Sequence, residues 1–265
     1  MPAGAFEFIR GLLASKRLPT LLLTSRYTED AQLLWRAASS QGWRVERVRG
    51  LALPADLEGE VVLFLEALIA PTLAERLGLT LLEPEEAWLA SLPERLTRRR
   101  VSAVPLAEAR RMPGPIFAKP PNDKSFEARV YSSGADLPEG DESRLVLVAE
   151  SVRWLSEFRC FCLDSEVLTL SPYLRTGRLA REDDFEASPE ELTEARALAE
   201  QVLGLGTLPR AVALDVGQID GRGWAVVEAN GAWASGIYGC DPAQALRAVR
   251  ASCLNPPERC HERAP

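Results

Sequence analysis

Histidine is almost missing from this chain: His261, within the last five positions, is the only one among 265 residues. A histidine-based serine triad and a multi-histidine zinc site are therefore both excluded from the body of the protein. Lysine is nearly as scarce. Lys16, Lys119 and Lys124 are the only lysines among 31 basic residues, the other 28 being arginine. The five cysteines, Cys160, Cys162, Cys240, Cys253 and Cys260, form no C-x-x-C pair. They read as reduced, buried thiols of a cytoplasmic protein rather than as a disulfide framework or a metal site. No apolar run is long enough to span a bilayer, and Glu7, Arg10, Lys16 and Arg17 interrupt the first stretch, so neither a membrane helix nor a leader is expected. The formal charge of −7 argues against a surface devoted to nucleic acid.

What remains is ordinary globular composition, and it divides by texture. Thr20–Thr24, Trp43–Val48, Val61–Leu65 and Thr80–Leu82 read as strands alternating with helices at Glu29–Ser40 and Thr72–Leu77, which predicts a small α/β unit with a mostly parallel sheet. It lacks a G-x-G-x-x-G after its first strand, so a dinucleotide site there has no support. A charged helical segment, Pro84–Arg100, leads to the proline-containing stretch Pro105–Pro115, taken as the boundary. Beyond it come closely spaced strands, a helix opened by Ser188, Pro189 and Glu191, two strands at Ala211–Gly217 and Trp224–Ala229, and a last helix capped by Asp241. This gives α/β plus α+β, with an extension at 1–17, domains at 18–104 and 105–253, and a mobile tail at 254–265.

Two constellations carry chemistry. A four-residue loop, Asp220–Gly223, would place Asp215 opposite Glu228 with Asn230 on the same face, and Val212, Leu214, Val216, Ala225, Val227 and Ala229 on the core face. Facing carboxylates repel unless something positive lies between them. Mg²⁺ suits that place, and two solvated acids on an open sheet face suit the spacing equally well. Small neighbours, Ala213, Gly217, Gly231 and Ala232, would let a ligand approach. The second constellation is I-F-A-K-P-P-N-D-K-S-F, which holds two of the three lysines and fits polyphosphate binding or a solvated loop. Arg98–Arg100 is either a phosphate or nucleic-acid contact or a solvated helix end.

In their order, F-A-K-P, V-L-V-A-E-S, S-E-F-R-C-F, D-V-G and V-V-E-A-N, with W-A-S-G-I-Y-G-C-D after them, resemble the ATP-grasp superfamily, and within it a clade named for one arginine and two lysines. The resemblance spans roughly residues 115–250 and implies an ATP-grasp fold preceded by a small N-terminal α/β domain. It implies Lys119 and Lys124 on the nucleotide phosphates, Val148 and Glu150 at the adenine, Glu157 on the ribose, and Asp215, Glu228 and Asn230 as Mg²⁺ ligands. Arg159, Lys124 and Arg175 would act on the transferring group; Arg175 and Tyr238 fit an acceptor site and equally fit an exposed hairpin residue and a core aromatic. The sequence departs from the family pattern in lacking both a phosphate lysine ahead of the first grasp strand and a glycine-rich loop after Lys119. The implied activity is an ATP- and Mg²⁺-dependent ligase joining a small-molecule or peptide carboxylate to an amine. The alternatives are a nucleotide-binding module that does not ligate and an ATP-dependent enzyme acting on nucleic-acid ends.

Overall fold

The computed structural model describes residues 18–255. The expected extension at 1–17, most of the tail, Lys16, Cys260 and His261 lie outside the described residues. The chain opens with β1 (Thr20–Thr24), α1 (Glu29–Ser40), β2 (Arg44–Val48), β3 (Val61–Phe64) and α2 (Ala70–Leu77). The Thr28 hydroxyl accepts the Ala31 N–H to start α1, and Gly78 ends α2 in the left-handed region. The sheet order is β2-β1-β3, all parallel, as the alternating pattern predicts.

The next strand does not extend that sheet. β4 (Thr80–Leu81) pairs antiparallel with the far end of the chain, residues 253–254. The charged segment after it forms two one-turn helices, α3 (Trp88–Ser91) and α4 (Glu94–Thr97), rather than one long one. β5 (Val101–Pro105) follows, then α5 (Leu106–Ala109), β6 (Ile116–Lys119), β7 (Arg129–Tyr131) and β8 (Leu145–Ala149). These strands build a sheet of order β5-β8-β6-β7. A boundary at 104/105 therefore cuts through β5, whose residues Val101–Pro105 pair with β8. The prolines at 105 and 113 flank a helical turn inside this unit, not a linker.

The third unit comprises β9 (Trp154–Leu163), β10 (Glu166–Arg175), β11 (Arg178–Leu179), α6 (Pro189–Leu203), β12 (Ala211–Ile219), β13 (Gly223–Asn230), α7 (Pro242–Ala251) and β14 (Cys253–Leu254). Its sheet order is β11-β10-β9-β12-β13, antiparallel throughout. The reciprocal Ser188–Glu191 capping box opens α6. Leu254 and Asn255, expected in a mobile tail, are tied down: the Asn255 amide bonds the backbone of Val61 in both directions, at 2.8 and 3.1 Å.

Three apolar clusters hold these layers. The first joins β1, β3, α1 and α2 to Phe161, Ala213 and α7, so the N-terminal sheet and the large sheet share a core. The second lies between the large sheet and α6 and takes in Trp88, Leu89 and Leu147. The third is confined to the small sheet and α5. Cys160, Cys162, Cys240 and Cys253 are free and buried within the first two clusters. Burial pushes the Cys240 thiol up to about 12 and that of Cys253 up to about 11, so both are unreactive packing residues.

Candidate active site

The β12–β13 hairpin sets the site, and its register differs from simple alternation. Ile219 pairs with Gly223, so the loop is the three residues Asp220, Gly221 and Arg222, with Gly221 in the left-handed region at φ 70°. Gln218 pairs with Trp224 and Val216 with Val226, one residue out of the expected pairing. A β-bulge then leaves Val227 unpaired and returns Asp215 to face Glu228 and Ala213 to face Asn230. The core-facing residues before the bulge are consequently Trp224 and Val226, not Ala225 and Val227.

The bulge is held from outside. β13 is an edge strand, and its outward carbonyls meet the arginines that precede β5. Arg99, 5 % exposed, donates from Nη1 to the Val226 carbonyl at 2.7 Å and from Nη2 to that of Val227 at 3.1 Å, and its guanidinium lies over the Trp154 ring. Arg98 Nε donates to the Trp224 carbonyl at 3.0 Å. Both arginines are thus engaged in closing a sheet edge. Two of the three arginines at 98–100 therefore have a structural role. Burial lowers the Arg99 pKa to about 10, against the pull of Glu157, Glu228 and Glu150, and leaves it charged at neutral pH.

Each of the facing carboxylates meets a positive side chain. Arg159, paired in register with Asp215, donates Nε and Nη2 to its two oxygens at 2.8 and 2.6 Å, with Asp215 fully buried. Burial opposes the charge on Arg159, and Asp215 more than offsets it, so the guanidinium pKa stands well above its usual value. Lys119, at the end of β6, forms an ion pair with Glu228 across the gap between the two sheets. Asn230 Nδ2 donates to the other Glu228 oxygen at 2.9 Å. Burial works against ionisation of Glu228, but Lys119 and Asn230 hold its pKa down to about 2.

Glu157, 9 % exposed, joins this cluster, accepting the Tyr173 hydroxyl at 2.8 Å. Burial raises its pKa to about 7, with Asp215 and Glu228 adding to the effect and Tyr173 and Arg99 opposing it. The Arg159 guanidinium also lies 5.4 and 5.3 Å from the ring centroids of Tyr173 and Tyr238, which stack on one another at 4.9 Å. Tyr238 is in the left-handed region at φ 54°, and Asp30 from α1 accepts the Ile237 and Tyr238 backbone N–H groups.

Above the cluster opens a cavity of about 600 Å³, with Thr24, Glu66, Lys124, Arg159, Glu228 and Asn230 on its walls. A second, of about 500 Å³, lies under the loop after β6 and shares Lys124, Glu228 and Asn230 with the first. Lys124 has no ion-pair partner among the described residues. The donor chemistry of Asp215, Glu228 and the Asn230 amide oxygen, all hard oxygens at adjacent registers, fits Mg²⁺. Among the described residues no group of three His, Cys, Asp or Glu side chains is arranged to hold a metal, and Lys119 and Arg159 occupy the carboxylates.

Lys119, Lys124, Arg159, Glu157, Asp215, Glu228 and Asn230 thus lie within or against one site. Three expected residues do not contribute in the expected way. Arg175 donates to both oxygens of Glu191 at 2.8 and 3.1 Å and braces the start of α6. Val148 is buried on a strand flanked on both sides, so its backbone has no free edge for a ligand. Glu150 pairs with Arg222 and gives its N–H to the Arg100 carbonyl. Two of the small residues are required by packing: a Cβ on Gly217 would lie 2.6 Å from the Ser156 carbonyl, and one on Gly231, which also lines the cavity, would lie 2.4 Å from the Trp233 ring nitrogen. Sequence reasoning missed Tyr173, Asp30 and Glu66, and it nominated Arg99 without foreseeing that it binds the β13 edge. The signal for Arg99 was the arginine run itself, and the other three had none.

A lysine strand, a bulged carboxylate hairpin and a cavity between two sheets define an ATP-grasp domain. The chain belongs to this superfamily: residues 96–248, more than half of it, match the model of the ATP-grasp domain of family 2 in the clade named for one arginine and two lysines. Among solved structures, D-cycloserine synthetase DcsG is similar over 88 % of this chain and 97 % of its own, at 15 % identity and a TM-score of 0.50. The RimK domain protein ATP-grasp from Sphaerobacter thermophilus DSM 20745 matches 88 % of this chain and 96 % of its own, at 18 % identity and a TM-score of 0.48. No curated protein sequence matches the chain. Among the described residues no helix is long and apolar enough to cross a membrane.

Proposed function

We propose that the protein is an ATP- and Mg²⁺-dependent ligase that activates a carboxylate as an acyl phosphate for attack by an amine. The observation that carries this reading is the arrangement of Lys119 and Glu228 on opposing sheets, beside the Arg159–Asp215 pair and under a cavity that Lys124 also lines. Mg²⁺, when bound, neutralises charge developing on transferring phosphate oxygens. Asp215, Glu228 and Asn230 would hold it, and Lys119, once released from Glu228, would turn to the phosphates with Lys124. Arg159 is fixed by Asp215 and by the Gly236 carbonyl, to which its Nη1 donates at 3.2 Å, so its charge is aimed without reorganisation. No histidine base is required, because phosphoryl transfer relies on positioning and electrostatics. In the overall balance, the carboxylate oxygen takes the γ-phosphoryl group and ADP leaves; the amine nitrogen then takes the acyl carbon, and phosphate and a proton leave.

One observation favours a nucleotide-binding module that does not ligate: both oxygens of Asp215 are taken by Arg159. Calorimetry and phosphate release separate the two. Lys119→Ala is expected to abolish Mg-ATP binding, and Glu228→Gln to weaken it about tenfold or more while the fold persists. Phosphate release that rises with added amino acids supports ligation. Tight Mg-ATP binding with no release under any acceptor mixture supports the module, and unchanged affinity in both variants overturns the site itself.

A further inference from the structure

The far end of the large sheet carries a second concave surface, of about 390 Å³, where Arg210, Arg247 and Arg250 surround Leu163, Ala251 and Leu254. Leu163 pairs with Ala211 at this end of β9 and β12, four residues from the Arg159–Asp215 pair, or about 13 Å at the rise of an extended strand. The two sites are therefore separate. The floor of the second is fixed by the return of the chain to β3: the Cys253 sulfur bonds the Leu63 N–H and carbonyl, and the Asn255 amide bonds those of Val61. Two of the arginines are aimed by acids behind them. Asp164 takes Nε and Nη2 of Arg210 at 2.9 and 2.8 Å. Glu60 takes the same two nitrogens of Arg250, whose guanidinium also lies 5.4 Å from the centre of the Trp43 ring. A carboxylate on this side edge of a guanidinium leaves the end edge, with Nη1, for another acceptor. Neither Nη1 has a hydrogen-bond partner among the described residues. Arg247 donates only from its Nη1, to the Gln244 side chain at 2.6 Å, and has no ion-pair partner among the described residues. Three guanidiniums against two carboxylates leave one positive charge unanswered, in a chain whose formal charge is −7.

We propose that this cavity binds a small phosphate monoester, with its terminal oxygens on Arg210, Arg247 and Arg250 and its organic group on Leu163, Ala251 and Leu254. The donor set selects that chemistry, because guanidinium edges pair with phosphate oxygens through parallel N–H bonds. Three such edges match the three terminal oxygens of a monoester, whereas a carboxylate or a phosphodiester presents two. The acidic balance of the whole chain works against a nucleic-acid backbone on this surface. A volume of about 390 Å³ suits a small molecule, not a folded partner. The site stands independently of the ligase reading, since it shares no residue with the cavity beside Lys119 and Glu228.

The test is calorimetry at low ionic strength, without nucleotide, using phenyl phosphate, inorganic phosphate and benzoate as probes. Phenyl phosphate is expected to bind the wild type. Inorganic phosphate, lacking an organic group, should bind at least about threefold more weakly, and benzoate, lacking the third oxygen, at least about tenfold more weakly. Arg247→Gln gives up one exposed bond and no ion pair, so the fold is kept. It is expected to weaken phenyl phosphate by about tenfold or more and to leave Mg-ATP affinity within about twofold. Arg210→Gln should act in the same way, and Lys119→Ala should leave phenyl phosphate within about twofold. Unchanged phenyl phosphate affinity in both arginine variants, its loss in Lys119→Ala, equal binding of benzoate, or no binding of any probe overturns the site. Inorganic phosphate binding as tightly as phenyl phosphate would assign the cavity to the free ion and overturn the monoester. Absence of Mg-ATP binding by the wild type would defeat the ligase reading alone, with the Arg247 comparison still decisive.

Discussion

Glu157 ionises late for a carboxylic acid. Its pKa of about 7 stands above the ordinary 4.5, so between those pH values the folded chain retains a proton that the unfolded chain has lost. The folded state binds more protons in that window, and stability falls as pH rises through it, by up to about 3 kcal/mol. Glu228 has the opposite sign: its stabilising contribution is complete above the ordinary 4.5 and is lost as pH falls toward about 2. Urea midpoints at about pH 5 and about pH 8 should therefore favour the lower pH, and Glu157→Gln should flatten the difference. A wild type equally stable at both would mean that Glu157 titrates as an ordinary carboxylate. Little of this is visible in sequence. The acids and lysines could be nominated because lysine is rare and the E-x-N spacing is specific, but the hydroxyl of Tyr173 and the buried oxygen of Glu66 reach the site through tertiary packing alone.

At the level of elements, alternation placed Asp215 opposite Glu228 although the assumed loop was one residue too long. The extra residue at the bulge compensates for the shorter turn. A period-two pattern has no means of marking a bulge, and the clue lay elsewhere in the chain, in the arginines that bind it. Arg99→Met should remove three bonds, to the carbonyls of Thr97, Val226 and Val227, the first two of them buried. A loss of about 2–4 kcal/mol is expected from these charge-assisted bonds, together with weaker Mg-ATP binding as Glu228 loses its register. Denaturant unfolding and calorimetry on the same samples check both, and a stable variant with normal affinity would show that the bulge holds itself. Local signals succeeded where chemistry is local. The Ser188, Pro189 and Glu191 signature fixed the start of α6, and Ser188→Ala should cost about 1 kcal/mol in thermal unfolding.

For the molecule as a whole, the composition break near residue 105 suggested two domains, yet the first apolar cluster runs from β1 through Phe161 to α7. Leu246 sits fully within it, on the helix that contacts α1, β3, β9 and β12. Leu246→Ala should cost about 2–5 kcal/mol and move one cooperative transition rather than split it. Two separated calorimetric peaks would show that the N-terminal sheet folds independently. Sequence texture could not reveal a core shared between sheets far apart in the chain, because apolar periodicity shows which face is buried and not what covers it.

The small sheet stands apart from that shared core, its own apolar cluster drawing only on residues between Val104 and Val148. It meets the rest of the molecule through Leu147, Val101 and Ala103 in the second cluster, and Lys119 rides on it while Glu228 belongs to the large sheet opposite. The ion pair between them is then a latch across the bite. On the function proposed above, a polyphosphate that drew Lys119 to itself and brought a cation to Glu228 would undo the latch and replace it with its own charge, so the same two residues would hold the small sheet before and after loading, with the nucleotide inserted as the bolt.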